Sequence, residues 1–273
     1  MKTKSFGNRW VAAPYLVWSV IFIVVPLLMV AYYAFTDANG QFTLENLAVL
    51  TDYADVFLIS IWYAFLATII SLVLAYPLAY ILSRMKSASQ SILIILIMLP
   101  MWMNFLIRTY SWITILANKG ILNQLFAKLG IGPFQLINTP GAVILGMVYN
   151  FLPYMILPIY TALSKIDDSL LEAADDLGCS PLKTLRRVIL PLSMPGVISG
   201  ITMVFVPSVS TFYISQKLGG GKTLLIGDVI EMQFQQSYNY NLGASLSLVL
   251  MLMILLCMAI MNRFADDDGG VIV

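Results

Sequence analysis

Six long apolar stretches constrain this chain more than any other feature, because each approaches or exceeds the roughly 17 to 25 residues that cross the hydrocarbon core of a bilayer. With 60% hydrophobic and 11% charged residues in a chain of 273, a soluble globule could not bury this much apolar surface. The sequence therefore predicts an all-α, polytopic membrane protein with six transmembrane helices. The predicted spans are residues 10–35, 59–82, 91–107, 141–163, 196–215 and 242–262.

The distribution of Lys and Arg predicts how these spans are oriented. If the N-terminus is cytoplasmic, ten of the 15 Lys and Arg residues fall on the inner side and five on the outer side. Cytoplasmic segments of membrane proteins carry this excess of positive charge. We therefore expect both termini in the cytoplasm, together with residues 164–191 between the fourth and fifth spans.

Composition also excludes several classes of function. The net charge of +1 gives no electrostatic basis for binding nucleic acid. The chain has no His, and Cys179 and Cys257 are isolated, so a disulfide framework, a Cys/His metal cluster and the usual general base are all missing. We expect no catalytic residue, no metal and no cofactor on this chain.

Residues 164–191 form a polar insert whose pattern predicts a helix, a glycine turn and a second helix. Gly178 suits a left-handed C-terminal turn, and Ser180 followed by Pro181 is a strong helix start. Pro191 is expected to close the unit. Candidate caps for the first helix are Asp167, Asp168 and Ser169, and its apolar face consists of Leu170, Leu171, Ala173, Ala174 and Leu177.

Helices this short have little stability alone and need a surface to bind. A groove on a partner protein would receive the apolar residues as anchors, with the charges setting the register. The alternative is an amphipathic loop lying on the bilayer, but its central acidic residues would be repelled by anionic cytoplasmic lipids. We therefore favour the groove.

The insert resembles the signature loop of ABC importer permeases, which reads EAA, three residues, Gly, nine residues, an aliphatic residue, one residue and LP. Val188 stands where the signature usually has Ile. The resemblance implies the type I ABC importer permease fold, a single permease domain over residues 1–273, and a cytoplasmic coupling loop at 164–191. The resemblance also implies that the residues matching the signature couple this chain to an ATPase. These residues are Glu172, Ala173, Ala174, Gly178, Leu190 and Pro191.

The chain as a whole is similar to the B-type permeases of spermidine/putrescine importers, through LPMWMNFLIRTYSW, LLEAADDLG, LPLSMPGVISG and GGGKTLLIGDVI. This similarity implies that the chain translocates polyamines inward in a bacterial inner membrane. It implies as partners a second permease of similar fold, two cytoplasmic ATPase subunits that hold ATP-Mg, and an extracellular or periplasmic polyamine-binding protein.

A pathway for a polyamine is harder to predict, because the interiors of the six predicted spans contain no Asp, Glu, Lys or Arg. We hypothesise that aromatic faces supply cation-π contacts, while the partner permease supplies most of the negative charge. Ordinary packing or a place in the interfacial belt would also explain each aromatic residue. An acidic entrance or a solvated loop face would explain the two carboxylates. The pathway candidates are Trp102, Asn104, Tyr110, Tyr149, Phe212, Tyr213, Asp228 and Glu231.

Two other functions remain open. The signature loop is compatible with an ABC permease for another solute, such as an oligopeptide, phosphate or a sugar. A secondary carrier or channel would leave the cytoplasmic insert without a role, and its transport would survive loss of the ATPase partners.

Overall fold

The computed structural model describes residues 8–268, and over this range it is helical, with one isolated β-bridge between Thr36 and Phe42. The all-α prediction is confirmed. Lys2 and Lys4, which contribute to the predicted orientation, and the last five residues of the tail lie outside the described residues. The α-helices are α1 (Asn8–Ser19), α2 (Val25–Ala34), α3 (Glu45–Ala48), α4 (Ala54–Ser83), α5 (Ser87–Trp102), α6 (Phe105–Leu116), α7 (Ile121–Lys128), α8 (Pro140–Leu163), α9 (Asp168–Asp176), α10 (Pro181–Thr184), α11 (Leu190–Val209), α12 (Tyr213–Leu218), α13 (Ile226–Gln235) and α14 (Tyr240–Asp268).

Among the described residues, five helices are long and apolar enough to cross a bilayer, and a bent pair of helices passes the same test when its two members are taken together. Counting the bent pair as one gives the six spans that the sequence predicts. The five are Pro14–Ala34, Glu45–Ser83, Pro140–Leu163, Pro181–Val209 and Tyr240–Met261, and the bent pair is Ala88–Trp102 with Phe105–Lys128.

The third predicted span, residues 91–107, is wrong as a continuous helix. Its chain bends by 91° between Trp102 and Phe105. Met103 has extended backbone, and the Asn104 side chain accepts hydrogen bonds from the N–H groups of Leu106 (2.8 Å) and Ile107 (3.4 Å). Asn104 is therefore the N-cap of a new helix. Averaged hydropathy misses this break because apolar residues surround it.

The fifth predicted span, residues 196–215, is also wrong in its bounds. Its helix ends at Val209, and α12 begins at Tyr213 after a short break. At its other end, Pro191 does not close the insert, because helical backbone is continuous from Pro181 to Val209. A π-helical segment, Leu185–Ile189, precedes α11, and the N–H of Leu190 donates to the carbonyl of Leu185. Pro191 follows this wider turn within the continuous helix, and because proline has no N–H group, it leaves no amide donor unpaired there.

The described chain divides into two compact units. The first draws on residues 229–253 and, in the described part of the chain, on residues 8–54. Within it, Asn241 Nδ2 donates to the Thr36 carbonyl at 2.7 Å, and Ser245 Oγ donates to the Ala34 carbonyl at 3.1 Å. These hydrogen bonds join α14 to the end of the first span.

The second unit draws on residues 55–228 and, among the described residues, on 254–268. Its core lies where α8 packs against α11. Small residues bring these two backbones close together. A Cβ atom added to Gly196 would lie 2.6 Å from Ala162 Cβ, and one added to Gly200 would lie 2.8 Å from Met155 Sδ. Close approach of this kind is how membrane helices gain packing energy without a hydrophobic driving force.

Candidate functional site

The first helix of the insert begins at a side-chain cap. Asp167 Oδ1 accepts a hydrogen bond from the Ser169 N–H at 2.9 Å, and α9 follows directly. Of the three caps that the sequence proposes, the structure uses Asp167. The same N–H holds the pKa of the Asp167 carboxyl below its ordinary value of 3.8, because it stabilises the ionised form.

Gly178 ends this helix in the left-handed conformation that its position in the sequence predicts, with φ +70°. The Gly178 N–H donates to the Asp175 carbonyl at 2.8 Å, and the Cys179 N–H donates to the Ala174 carbonyl at 3.0 Å. This pair of bonds is a Schellman motif, which satisfies carbonyls at a helix C-terminus. Ser180 then has extended backbone and α10 starts at Pro181, as predicted.

Most of the apolar side chains of the insert are exposed. Leu177 is 84% and Leu182 is 73% exposed, and Leu170 is also open to solvent. On α9, Ala174 is the buried residue, whereas Glu172 and Ala173 are exposed. The apolar face that the sequence predicts is therefore mostly left uncovered by this chain.

The insert also borders a groove of about 810 Å³. One wall comes from the end of α4, and the other comes from α9 and the helix that starts at Pro181. The side chain of Glu172 lines this groove, which was not apparent from the sequence. The lining residues are Tyr76, Pro77, Tyr80, Leu171, Glu172, Asp175, Cys179, Pro181, Leu182, Thr184, Leu185 and Ile189.

Two polar contacts attach the insert and its following helix to α4. Arg84 Nη1 donates to Asp168 Oδ1 at 2.6 Å, and the Arg84 guanidinium lies 5.8 Å from the centroid of the Tyr80 ring. The hydroxyls of Tyr76 and Ser193 are hydrogen-bonded at 2.9 Å. The groove is thus bounded by elements that are tied to each other, while the apolar residues beside it stay exposed.

Among the pathway candidates, the structure brings Tyr110 and Tyr213 together. Their ring centroids are 6.5 Å apart with an interplanar angle of 79°, and the Phe105 ring lies 5.8 Å from that of Tyr213. The ammonium of Lys217 lies 5.8 Å from the Tyr110 centroid and 5.6 Å from the Tyr213 centroid. We call Phe105, Tyr110, Tyr213 and Lys217 the aromatic cluster. Sequence reasoning missed Phe105 and Lys217, because their contacts depend on how α12 packs against α6.

The other aromatic candidates do not join this cluster in the contacts that the structure records. Trp102 is exposed at the end of α5, and Phe212 is exposed at the N-cap position of α12. Tyr149 makes an edge-to-face contact with Trp112, with centroids 5.3 Å apart. Asn104 uses its side-chain oxygen to cap α6.

Asp228 is buried, so the interpretation of it as part of a solvated loop face is wrong. It is 2% exposed, and its carboxylate accepts hydrogen bonds from Ser215 Oγ (2.9 Å) and from the Leu225 N–H (2.8 Å). These bonds join α13 to α12. Glu231 lies further along α13, within the first of the two units.

The interpretation that the spans contain no charged residue needs a correction at Arg108. The sequence places Arg108 in the outer loop, but it lies on α6, within the bent span, and is 8% exposed. Its guanidinium lies 5.9 Å from the Phe105 centroid, and its Nε and Nη1 atoms have no hydrogen-bond partner within the described chain. The helix break at Asn104, which hydropathy misses, is the reason for this error.

A family model described as "Binding-protein-dependent transport system inner membrane component" matches residues 67–266. The chain is 40% identical over 244 residues to the spermidine/putrescine transport system permease protein PotB of Salmonella typhimurium strain LT2, with 86% of this chain and 85% of the relative covered. It is 42% identical over 227 residues to the PotB protein of Escherichia coli K12, with 80% and 82% covered. The E. coli inner membrane ABC transporter permease protein YdcU is 32% identical over 230 residues, with 77% and 73% covered.

Two solved structures have a similar fold. One is a bacterial ABC transporter involved in import of the acidic polysaccharide alginate, with a TM-score of 0.73, 16% identity and 95% of each chain covered. The other is a bacterial alginate ABC transporter in complex with a periplasmic protein that holds an alginate pentasaccharide, with a TM-score of 0.74, 15% identity and coverage of 97% of this chain and 96% of the other. At this identity the likeness concerns the fold alone, which is that of ABC importer permeases.

Proposed function

Since this chain belongs to the family of binding-protein-dependent transport system inner membrane components, we propose that it is the permease subunit through which an ATP-driven importer carries spermidine and putrescine into the cell. The observation that carries this proposal is the 40% identity over 86% of the chain to a relative that is named for these two polyamines. The family and the apolar helices make the chain a multi-pass membrane protein.

Permeases of this kind are transport subunits and not enzymes, and their ATPase is a separate subunit. We propose that ATP-Mg is bound by two cytoplasmic ATPase subunits. This chain would contribute no catalytic residue and no cofactor ligand. Its contribution to ATP-driven transport is mechanical.

We propose that residues 164–191 couple this chain to one of the ATPase subunits. The exposed Leu177 and Leu182 side chains provide apolar anchors. Exposed apolar residues on a short helix suit binding in a groove of a partner protein. Glu172 is charged and exposed and lines the same groove as Leu182, so we propose that it sets the register. The Schellman turn at Gly178 fixes the angle between the two helices that the ATPase would contact.

We also propose the other partners of this importer and the orientation of this chain in the membrane. A second permease of similar fold would complete the membrane-spanning part, and an extracellular or periplasmic protein would deliver the polyamine. We propose a bacterial inner membrane, both termini in the cytoplasm, and a single permease domain over residues 1–273.

For the pathway, we propose the aromatic cluster as the part of this chain that contacts the polyamine. Aromatic faces attract ammonium groups by about 0.5 to 2 kcal/mol each, with the larger values at desolvated sites. The other pathway candidates stay predictions, with Asp228 the weakest because it already accepts hydrogen bonds from Ser215 and Leu225. Carboxylates of the second permease would supply the negative charge.

Uptake of labelled spermidine and putrescine by cells with and without this chain tests the proposed function. We expect ATP-dependent uptake of both polyamines that is lost on deletion and restored by the intact gene. Uptake of an oligopeptide, phosphate or a sugar in their place would reassign the solute. Uptake that survives removal of the ATPase subunits would indicate a secondary carrier or channel.

A further inference from the structure

The ammonium of Lys217 occupies a position that an aromatic cage offers to a cation. Tyr110 and Tyr213 stand edge to face, and Lys217 Nζ lies within 6 Å of both ring centroids, at 5.8 and 5.6 Å. At this distance from a ring, a cation is attracted by the negative face of the π system. Two rings around one ammonium are the basic arrangement of aromatic cages for amines.

The occupant of this cage has the same chemistry as one end of the proposed substrates. A lysine side chain is an ammonium on a flexible four-carbon stem. Putrescine and one arm of spermidine are likewise an ammonium on four methylene groups. The pair of rings that attracts the lysine ammonium would therefore attract the ammonium of this aminobutyl group in the same way.

The cage and its occupant differ in how firmly the chain holds them. In α12, Ile214 and Leu218 are buried against Val143 and Met147 of α8, and Ser215 donates to Asp228. The backbone that carries Tyr213 and Lys217 is thereby fixed. The Lys217 side chain is half-buried, as Tyr213 is, but it is a flexible four-carbon stem and not a rigid ring, so its ammonium can leave while the rings stay in place.

We propose that Lys217 is a tethered occupant of a polyamine subsite, and that the aminobutyl end of the substrate replaces its ammonium between Tyr110 and Tyr213. This inference rests on the proposed polyamine transport. Two ammonium groups would repel each other within one cage, so substrate and Lys217 exclude one another. The exchange replaces one cation-π contact with another, which keeps the subsite weak and suits a step from which the substrate must be released.

Equilibrium binding of labelled putrescine to the assembled importer in nanodiscs, without the delivery protein, tests this exchange. Lys217→Met removes the ammonium and keeps a flexible stem. We expect it to tighten putrescine binding by about 2- to 30-fold, the range that one released cation-π contact of about 0.5 to 2 kcal/mol represents. The matched control is Lys222→Met, which makes the same change of charge at an exposed lysine on the same segment, and for it we expect no comparable gain.

A second variant separates the cage from a general effect of charge. Tyr110 is exposed, so Tyr110→Leu should fold. Combined with Lys217→Met, it should abolish the gain in affinity. Amine labelling followed by mass spectrometry provides an independent measurement. Saturating putrescine should raise the ratio of Lys217 labelling to Lys222 labelling, a ratio that cancels the reagent consumed by the amines of putrescine.

Putrescine binding by Lys217→Met that equals the Lys222→Met control, or is weaker than that of the unmodified complex, would overturn the exchange. A ratio of Lys217 to Lys222 labelling that putrescine leaves unchanged would overturn it as well. Failure of the unmodified complex to transport either polyamine is a different result, because it would reject the proposed function itself.

Discussion

Replacement of Gly178 isolates the contribution of the turn within the insert. Gly178 has φ +70°, and a Cβ atom added there would have no heavy atom within 4 Å. A side chain at position 178 would therefore strain the backbone conformation but would not clash with a neighbouring atom. In the left-handed region, a residue with a side chain other than that of Asn is disfavoured by about 1 to 2 kcal/mol, and β-branched residues lie at the upper end of this range.

This reasoning predicts an order among three variants. Gly178→Asn should behave almost as the unmodified protein does, because Asn adopts the left-handed conformation readily. Gly178→Ala should be intermediate, and Gly178→Val should shift the equilibrium against the native turn by about 5- to 30-fold. Because the turn sets the angle between the two helices, we expect a loss of coupling that follows the same order.

The assay is the ratio of labelled spermidine uptake to ATP hydrolysis in proteoliposomes that contain the complete importer. Gly130→Val is the matched control, because Gly130 has φ +73° and equally open space but lies outside the insert. We expect the ratio to fall for Gly178→Val and to stay unchanged for Gly130→Val. A normal ratio for Gly178→Val, or an equal fall for both variants, would refute the coupling role of the turn.

Three further perturbations have defined outcomes. Glu172→Lys should release the ATPase from the detergent-purified complex, because it reverses the charge at the proposed contact. Glu45→Lys, on the segment after the first span, makes the same change of charge and should not release it. An unchanged ratio of ATPase to permease in the Glu172→Lys complex would count against the proposed contact. Asn104→Ala should destabilise the start of α6 by about 1 kcal/mol, because it removes the side-chain cap. Asn104→Asp should not, because Asp can also cap a helix. Equal thermal inactivation of the two variants would contradict the capping role. The folded pKa of Asp167 is depressed, so the stability from its cap is present above its ordinary pKa of 3.8 and is lost as the pH falls below that value. The protection of the Ser169 N–H against hydrogen exchange, taken relative to its intrinsic exchange rate at each pH, should therefore fall in acid, and Asp167→Asn should remove this loss of protection.

Local chemistry allowed much of this fold to be predicted. The fourth predicted span, residues 141–163, differs from α8 by one residue at its start, because a continuous apolar run between polar segments defines both its ends. The turn at Gly178 was predictable for a similar reason. A glycine at a helix end, followed by a Ser-Pro helix start, can be recognised from local backbone preferences alone.

The breaks within spans were not predictable in the same way. Asn104 caps a helix in the middle of an apolar run, and averaging hydropathy over a window conceals it. The π-helical turn before Pro191 depends on the continuation of one helix into the next. The position of Lys217 between two tyrosines depends on the packing of α12 against α6, which no spacing in the sequence encodes.

Cross-linking between the insert and the ATPase tests the central claim most directly. A complex in which Cys179 and Cys257 are replaced by serine would carry Glu172→Cys, and a cross-linking reagent with one thiol-reactive and one photoreactive end would be applied with and without ATP. We predict a cross-link to an ATPase subunit whose yield changes when ATP binds. Labelling of this cysteine by an impermeant reagent from outside the cell, or the lack of any cross-link in an intact complex, would contradict the account.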